Sequence, residues 1–263
     1  MNIQIFIVFF LNFIISLIGT LAYSVRLVGV RTGKIAVSFA IFNVFTLVSR
    51  IAVTFQVPIL TKYVERNQGS TKLINIFIII MLISGVSTIV GAFLIPSFQR
   101  LLSKGVQSFS IHRSVPKLLL HSLSKSGVIL IKEFASIPVK ENITKLSIKS
   151  LPKKTIILNI IAVSLITTGA LAPIYAGYIE PGLRATCITL SSVINGIATI
   201  MATVFIDPQL SIMTDDVIEG KCSEQQFRTC VVGMVGSKTI GTFISLLIFL
   251  PATYFIVFIA RLI

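Results

Sequence analysis

The sequence is poor in charge. Asp, Glu, Lys and Arg together make up 12% of its 263 residues, about half the ~25% of a water-soluble domain, which leaves too little polar surface to coat a globule. Histidine occurs twice, at His112 and His121, and cysteine three times. Cys187 falls in an apolar run, whereas Cys222 and Cys230 lie in a polar stretch with neither CxxC spacing nor histidine partners, so neither a metal site nor a disulfide framework is expected. No serine or cysteine has a base and an orienting acid within local reach, which argues against nucleophilic catalysis. Asp215, Asp216 and Glu219 form the only acidic cluster, and it lacks a DDxxD pattern. No GxxxxGKS or GxxxxGKT loop is present, so ATP does not drive this chain directly. The chain reads as a non-enzyme without a cofactor.

Long apolar runs take the place of charge. Residues 1–25, 73–99, 155–179, 185–206 and 239–260 carry no charged side chain, and 35–61 is interrupted only by Arg50. About 20 such residues cross a hydrocarbon core. The runs are continuous and show no period-two alternation, which excludes a transmembrane β-barrel. The expected fold is all-α, a polytopic bundle of about six transmembrane helices. The first run has no basic segment before it and no small-residue cleavage site after it, so it reads as a retained helix and not as a removable signal.

The net charge of +14 is concentrated in one place. Residues 99–154 hold 11 of the 23 Lys and Arg and two acids, a distribution that points to a membrane-facing segment and not to nucleic-acid binding. If this segment is cytoplasmic, the positive-inside rule puts both termini outside and makes 26–34 and 207–238 inner connections. Against that topology, Lys62, Arg66 and Lys72 fall outside, but the total still favours it. Within the basic segment, residues 114–137 place Lys117, His121, Ser124, Lys125 and Lys132 on one helical face and leucines on the other, which predicts a helix lying in the membrane surface. It reads either as a surface anchor or as a collector of anionic lipid heads.

An ungapped shift of 150 lays the second half on the first. Gly19, Leu21 and Ala22 then meet Gly169, Leu171 and Ala172; Phe55, Pro58 and Leu60 meet Phe205, Pro208 and Leu210; Gly91 and Phe93 meet Gly241 and Phe243. Three spans per half turn such a repeat into an inverted one, the build of alternating-access transporters. The expected organisation is therefore half 1 at 1–98, a linker at 99–154 and half 2 at 155–263.

Polar residues within the runs fall into stripes. Asn12, Ser16, Gly19 and Tyr23 share a face of the first; Asn43, Thr46, Arg50 and Thr54 of the second; Ser84, Ser87, Thr88 and Gly91 of the third; Thr189, Ser192, Gly196, Thr199 and Thr203 of the fifth. The third stripe reads as close packing by small residues, and the second and fifth as cavity walls. Arg50 lies 15 residues past Ile35, about 22 Å along a helix, too deep to snorkel easily. It is expected to face the bundle interior, either clamping neighbouring carbonyls or holding a phosphate or carboxylate. Arg26, Arg31 and Lys34, with Gly29 and Gly33, are expected to form a tight basic turn suited to an anionic head group, although a plain positive-inside cluster has the same appearance.

The segments YSVRLVGVRTGKIAVSF at 23–39, NVFTLVSR at 43–50, FQVPIL at 55–60, APIYAGYIEPGLRATCITLSSVINGIATI at 172–200 and FIDPQLSIMTDDVIEG at 205–220 together resemble the alternate lipid II flippase family, Amj, over nearly the whole chain. The resemblance implies a bacterial cytoplasmic-membrane protein that carries lipid II, the undecaprenyl-diphosphate-linked peptidoglycan precursor, to the outer leaflet. On that basis Arg50, Arg26, Arg31, Lys34, Asn43 and Arg184 are the expected substrate-binding residues, membrane lipids are further partners, and Asp207, Glu180 and Glu65 are candidates for proton coupling. The alternative is a transporter of another amphiphilic anion or lipid-linked phosphate.

Overall fold

The computed structural model describes residues 3–70, 72–112 and 152–263, without the side chains of 109–112. The predicted surface helix at 114–137 lies outside them. Among the described residues nine α-helices follow one another: α1 Ile3–Leu21, α2 Val25–Thr32, α3 Ile35–Arg66, α4 Leu73–His112, α5 Lys153–Ile179, α6 Arg184–Thr189, α7 Ser191–Ile200, α8 Asp207–Ile218 and α9 Glu224–Leu262. They make six helical stretches long and apolar enough to cross a membrane: Ile3–Thr32, Ile35–Arg66, Leu73–Ser108, Lys153–Ile179, Pro181–Ile218 and Glu224–Leu262. A π-helical segment, Met201–Ile206, joins α7 to α8 in the fifth of these.

The helices outrun the charge-free runs. The 26–34 segment is not a turn: a single 3₁₀ turn, Ala22–Ser24, leads α1 directly into α2, and the reversal is delayed to Gly33, whose φ of 66° is the left-handed geometry glycine adopts without a steric penalty. Gly29 matters for a different reason, since a Cβ there would stand 2.9 Å from the Cα of Ile35 as the chain doubles back. Residues 207–238, polar enough to suggest a loop, are also mostly helical. A capping box of Ser223 and Gln226 starts α9 well before its apolar run.

Each half is built the same way. The first and third spans pack along their length, α1 on α4 and α5 on α9, and the second span lies against the first. Small residues permit the close crossings: a Cβ on Gly91 would meet Thr20 at 2.8 Å, and one on Gly241 would meet the Ile160 carbonyl at 2.7 Å. One asparagine per half ties first to third span. The Asn12 amide donates to the Ile80 carbonyl (2.8 Å) and to Ser84 Oγ (2.7 Å), and the Asn159 amide to the Met234 carbonyl (3.2 Å) and to Ser237 Oγ (2.6 Å). Ser87 adds a bond to the Phe13 carbonyl at 2.6 Å. The stripe on the third span is therefore a packing surface.

The largest apolar core occupies the end of the bundle that holds Leu60, Leu73 and Ala260, and the rings of Phe77, Tyr175 and Phe249 meet there with centroids 5.2–5.7 Å apart. Three smaller clusters, around Val25, Met234 and Leu27, stabilise the opposite end. Cavities lie among them.

Candidate functional site

The smaller cavity, about 320 Å³, sits between the halves. Gly19, Tyr23 and Arg26 of the first span line it, with Phe39 and Asn43 of α3 opposite, and Asn159, Ala202 and Asp207 come from the second half. Helical spacing places Tyr23 and Arg26 here: they continue, one and two turns on, the face that carries Asn12, Ser16 and Gly19. Tyr23 donates to Asn159 Oδ1 at 2.9 Å, which occupies the one Asn159 acceptor left over by its amide contacts.

Arg26 is the cation of this cavity. Its side chain is 18% exposed and reaches Asp207 at 3.5 Å and Ser211 Oγ at 2.9 Å, while its guanidinium lies 5.1 Å from the centre of the Phe39 ring. A guanidinium held by one carboxylate, one hydroxyl and one ring face keeps donors available for a second planar anion. Asp207, 54% exposed, stands directly before Pro208, where the π-helical segment passes into α8.

The larger space, about 710 Å³, is a groove between α4 and α9. Arg31, Arg100, Lys104 and Arg228 gather at one end of it, and Ile89, Phe93 and Val235 line its depth. Arg31 donates to Glu224 at 2.6 Å and to Gln99 Oε1 at 3.2 Å. Leu27, Phe227 and Val231, all buried, form the wall between groove and cavity.

The structure brings together Arg26, Asn43 and Asp207 from the expected set. Arg31 points to the groove, and Lys34 precedes α3 at the surface. Arg184, Glu65 and Glu180 belong to the other end of the bundle: Arg184 pairs with Glu65 at 3.4 Å and donates to the Gly177 carbonyl at 3.1 Å, and Glu180 accepts from Arg261 at 2.5 Å. Arg50 is not enclosed. It stands on an exposed part of α3, lines neither cavity, and has no side-chain partner among the described residues. The middle of α3 packs too sparsely to bury it: Leu47, Val48, Ile51 and Val53 around it are exposed as well. Asn43 is seven residues earlier on the same face, so Arg50 stands about 10 Å beyond the cavity along that face.

Lys238 is a residue that sequence reasoning missed. Placed by its charge at the edge of a loop, it lies inside α9, and its ammonium donates to the Ser16 carbonyl at 3.3 Å beside Gly19. The only available signal was its position directly before an apolar run. Among the described residues no group of three His, Cys, Asp or Glu side chains could hold a metal ion.

Comparison with known proteins follows the same outline. The family model described as "Amj: Alternate to MurJ" matches residues 11–260, a span that takes in both halves and every residue of the cavity. The "Lipid II flippase Amj" of Bacillus subtilis (strain 168) is 32% identical over 98% of this chain and 97% of that protein. No solved structure matches the chain. A match of that length, reaching across all six spans and the Arg26 cavity they enclose, shows that the chain belongs to the Amj family.

Proposed function

We propose that this protein is a lipid II flippase of the bacterial cytoplasmic membrane. The observation that carries the reading is the near full-length match to the Bacillus subtilis protein of that name, and the site geometry supports it. A diphosphate with a bulky polar head on a lipid tail needs a hydrated cationic space between helices, open toward lipid. The Arg26 cavity supplies the cation, and Asn43 supplies a polar wall. Arg50 stands further along the Asn43 face, and Thr199 shares a helical face with Ala202 of the opposite wall. The head would pass along these two stripes while the tail stays in the bilayer.

The open end, with 99–112 continuing from α4 as helix, is the cytoplasmic end on the positive-inside rule, and both termini are then outside. In this reading Arg26, Asn43 and Arg50 hold the head group, Arg31 and Lys34 attract it, and Arg184 takes part from the far side. Asp207, released from Arg26 when a phosphate arrives, is the carboxylate best placed for proton coupling; Glu65, paired with Arg184, holds the corresponding position at the other end, where Glu180 pairs with Arg261. The test is complementation. In a strain whose own lipid II flippases are shut off, the chain should sustain growth and make lipid II accessible on the outer leaflet, and the Arg26→Gln protein should do neither. Lysis of cells that contain normally inserted wild-type protein would overturn the assignment.

A further inference from the structure

The function just proposed uses the cavity between the halves but not the larger groove between α4 and α9. That groove is amphiphilic along its length. Toward the membrane interior its walls are Ile89, Phe93 and Pro96 on one side and Val232, Val235 and Gly236 on the other. At the end nearest α2 four basic side chains converge: Arg100 and Lys104 one turn apart on α4, Arg228 on α9 and Arg31 on α2. Glu224 neutralises Arg31 alone, and neither Arg100 nor Arg228 has an acidic or hydrogen-bonding partner among the described residues. A lipid head with a single phosphate would satisfy one wall. The cations stand on opposing helices, so two adjoining phosphates, each able to accept a forked pair of N–H donors, fit the arrangement better.

We propose that this groove is a docking site for a polyprenyl-diphosphate lipid, with the diphosphate between Arg100 and Arg228 and the first isoprene units along Phe93, Val235 and Gly236. The proposal rests on the flippase reading for the identity of its occupant. It adds a station outside the cavity, separated from Arg26 by the wall of Leu27, Phe227 and Val231. Val231 lines both spaces, so a small movement of this wall would connect the docked head to the Arg26 guanidinium.

Gly236 makes the proposal testable without damaging the fold. A Cβ there meets nothing within 4 Å, so Gly236→Leu fills groove space and not packed protein. Gly182 is equally open, lies at the other end of the molecule and provides the control. Full-length protein in phosphatidylcholine nanodiscs is titrated with undecaprenyl diphosphate and, separately, with phosphatidylglycerol. Wild type and Gly182→Leu should bind the diphosphate lipid at least about tenfold more tightly than phosphatidylglycerol. Gly236→Leu, and the double variant Arg100→Gln with Arg228→Gln, should each weaken that binding by about tenfold or more, the scale of losing one good set of charge-assisted contacts. Equal affinity for phosphatidylglycerol would mean a site for bulk anionic lipid and would overturn the proposal, as would unchanged diphosphate binding in both variants. The assay involves no transport, so a protein that complements in cells but shows unaltered binding in the variants refutes the docking site and leaves the flippase reading standing.

Discussion

At one end of the bundle Phe77, Tyr175 and Phe249 meet in a continuous apolar core; at the other, Arg26, Asn43 and Asp207 line a cavity of about 320 Å³. The two ends share a plan. In the repeat register Gly169 follows Gly19 by 150 positions, and both sit against a close side chain: a Cβ on Gly19 would stand 2.6 Å from Lys238 Nζ, and one on Gly169 2.7 Å from Asn195 Oδ1 and from the Ile194 side chain. Besides the more exposed Arg31–Glu224 pair at the open end, one ion pair between the halves belongs to each end, Arg26 with Asp207 at 3.5 Å and Arg184 with Glu65 at 3.4 Å. In each, the arginine is 18% exposed and the carboxylate about half exposed. In each, an arginine of one half meets a carboxylate in the second span of the other. The pairs match while the packing around them does not. One end is sealed by packed side chains and the other is crossed by ion pairs beside a cavity, the kind of asymmetry that alternating access requires.

The largest expected contrast is in stability. Phe249 is 2% exposed between two rings, so Phe249→Ala should cost about 3–5 kcal/mol. Phe39, half-buried beside Arg26, borders space that is already open, and Phe39→Ala should cost under about 1.5 kcal/mol by the same reasoning. Unfolding of purified protein in detergent measures both, and equal losses would remove the distinction between a packed and an open end. In second place, Arg26→Gln should lower lipid II translocation by about tenfold or more at normal protein levels, as expected when a charge-assisted contact is lost, whereas Ser211→Ala, which leaves Asp207 and Phe39 in place, should lower it far less. Equal effects would mean that the guanidinium acts only as a structural support.

The six spans were legible because charge-free runs of this length have one physical use. The packing role of the third stripe was legible too, since Ser84, Ser87 and Gly91 are small enough to admit α1. The pairings of Arg26 with Asp207 and of Arg184 with Glu65 were not: they join residues 181 and 119 positions apart, and nothing local marks one carboxylate over another. The α2 helix was hidden because Gly29 and Gly33 read as turn residues, although Gly29 serves a close approach and only Gly33 turns the chain. Arg50 was misplaced through the assumption that a deep arginine needs enclosure; the sparsely packed middle of α3 leaves it exposed.

A smaller effect tests the shared plan. Asn12→Ala and Asn159→Ala each remove the tie between first and third span of one half, and each should cost about 0.6–2 kcal/mol, the range for hydrogen bonds between membrane helices. A loss confined to one half would make the likeness of the halves superficial. The smallest effect belongs to Arg261, 62% exposed against Glu180: Arg261→Gln should change stability by under about 1 kcal/mol and leave translocation intact.

The difference between the two ends is tested most directly by thiol accessibility. With Cys187, Cys222 and Cys230 replaced, single cysteines at Asn43 and at Tyr175 are exposed to a membrane-impermeant maleimide in inverted and in right-side-out vesicles. Asn43→Cys should label from the cytoplasmic face, more slowly when undecaprenyl diphosphate is present, and Tyr175→Cys, inside the ring cluster, should resist labelling from either face. Labelling of position 43 only from the outside, or equal labelling of both positions, would contradict a bundle that opens inward onto Arg26.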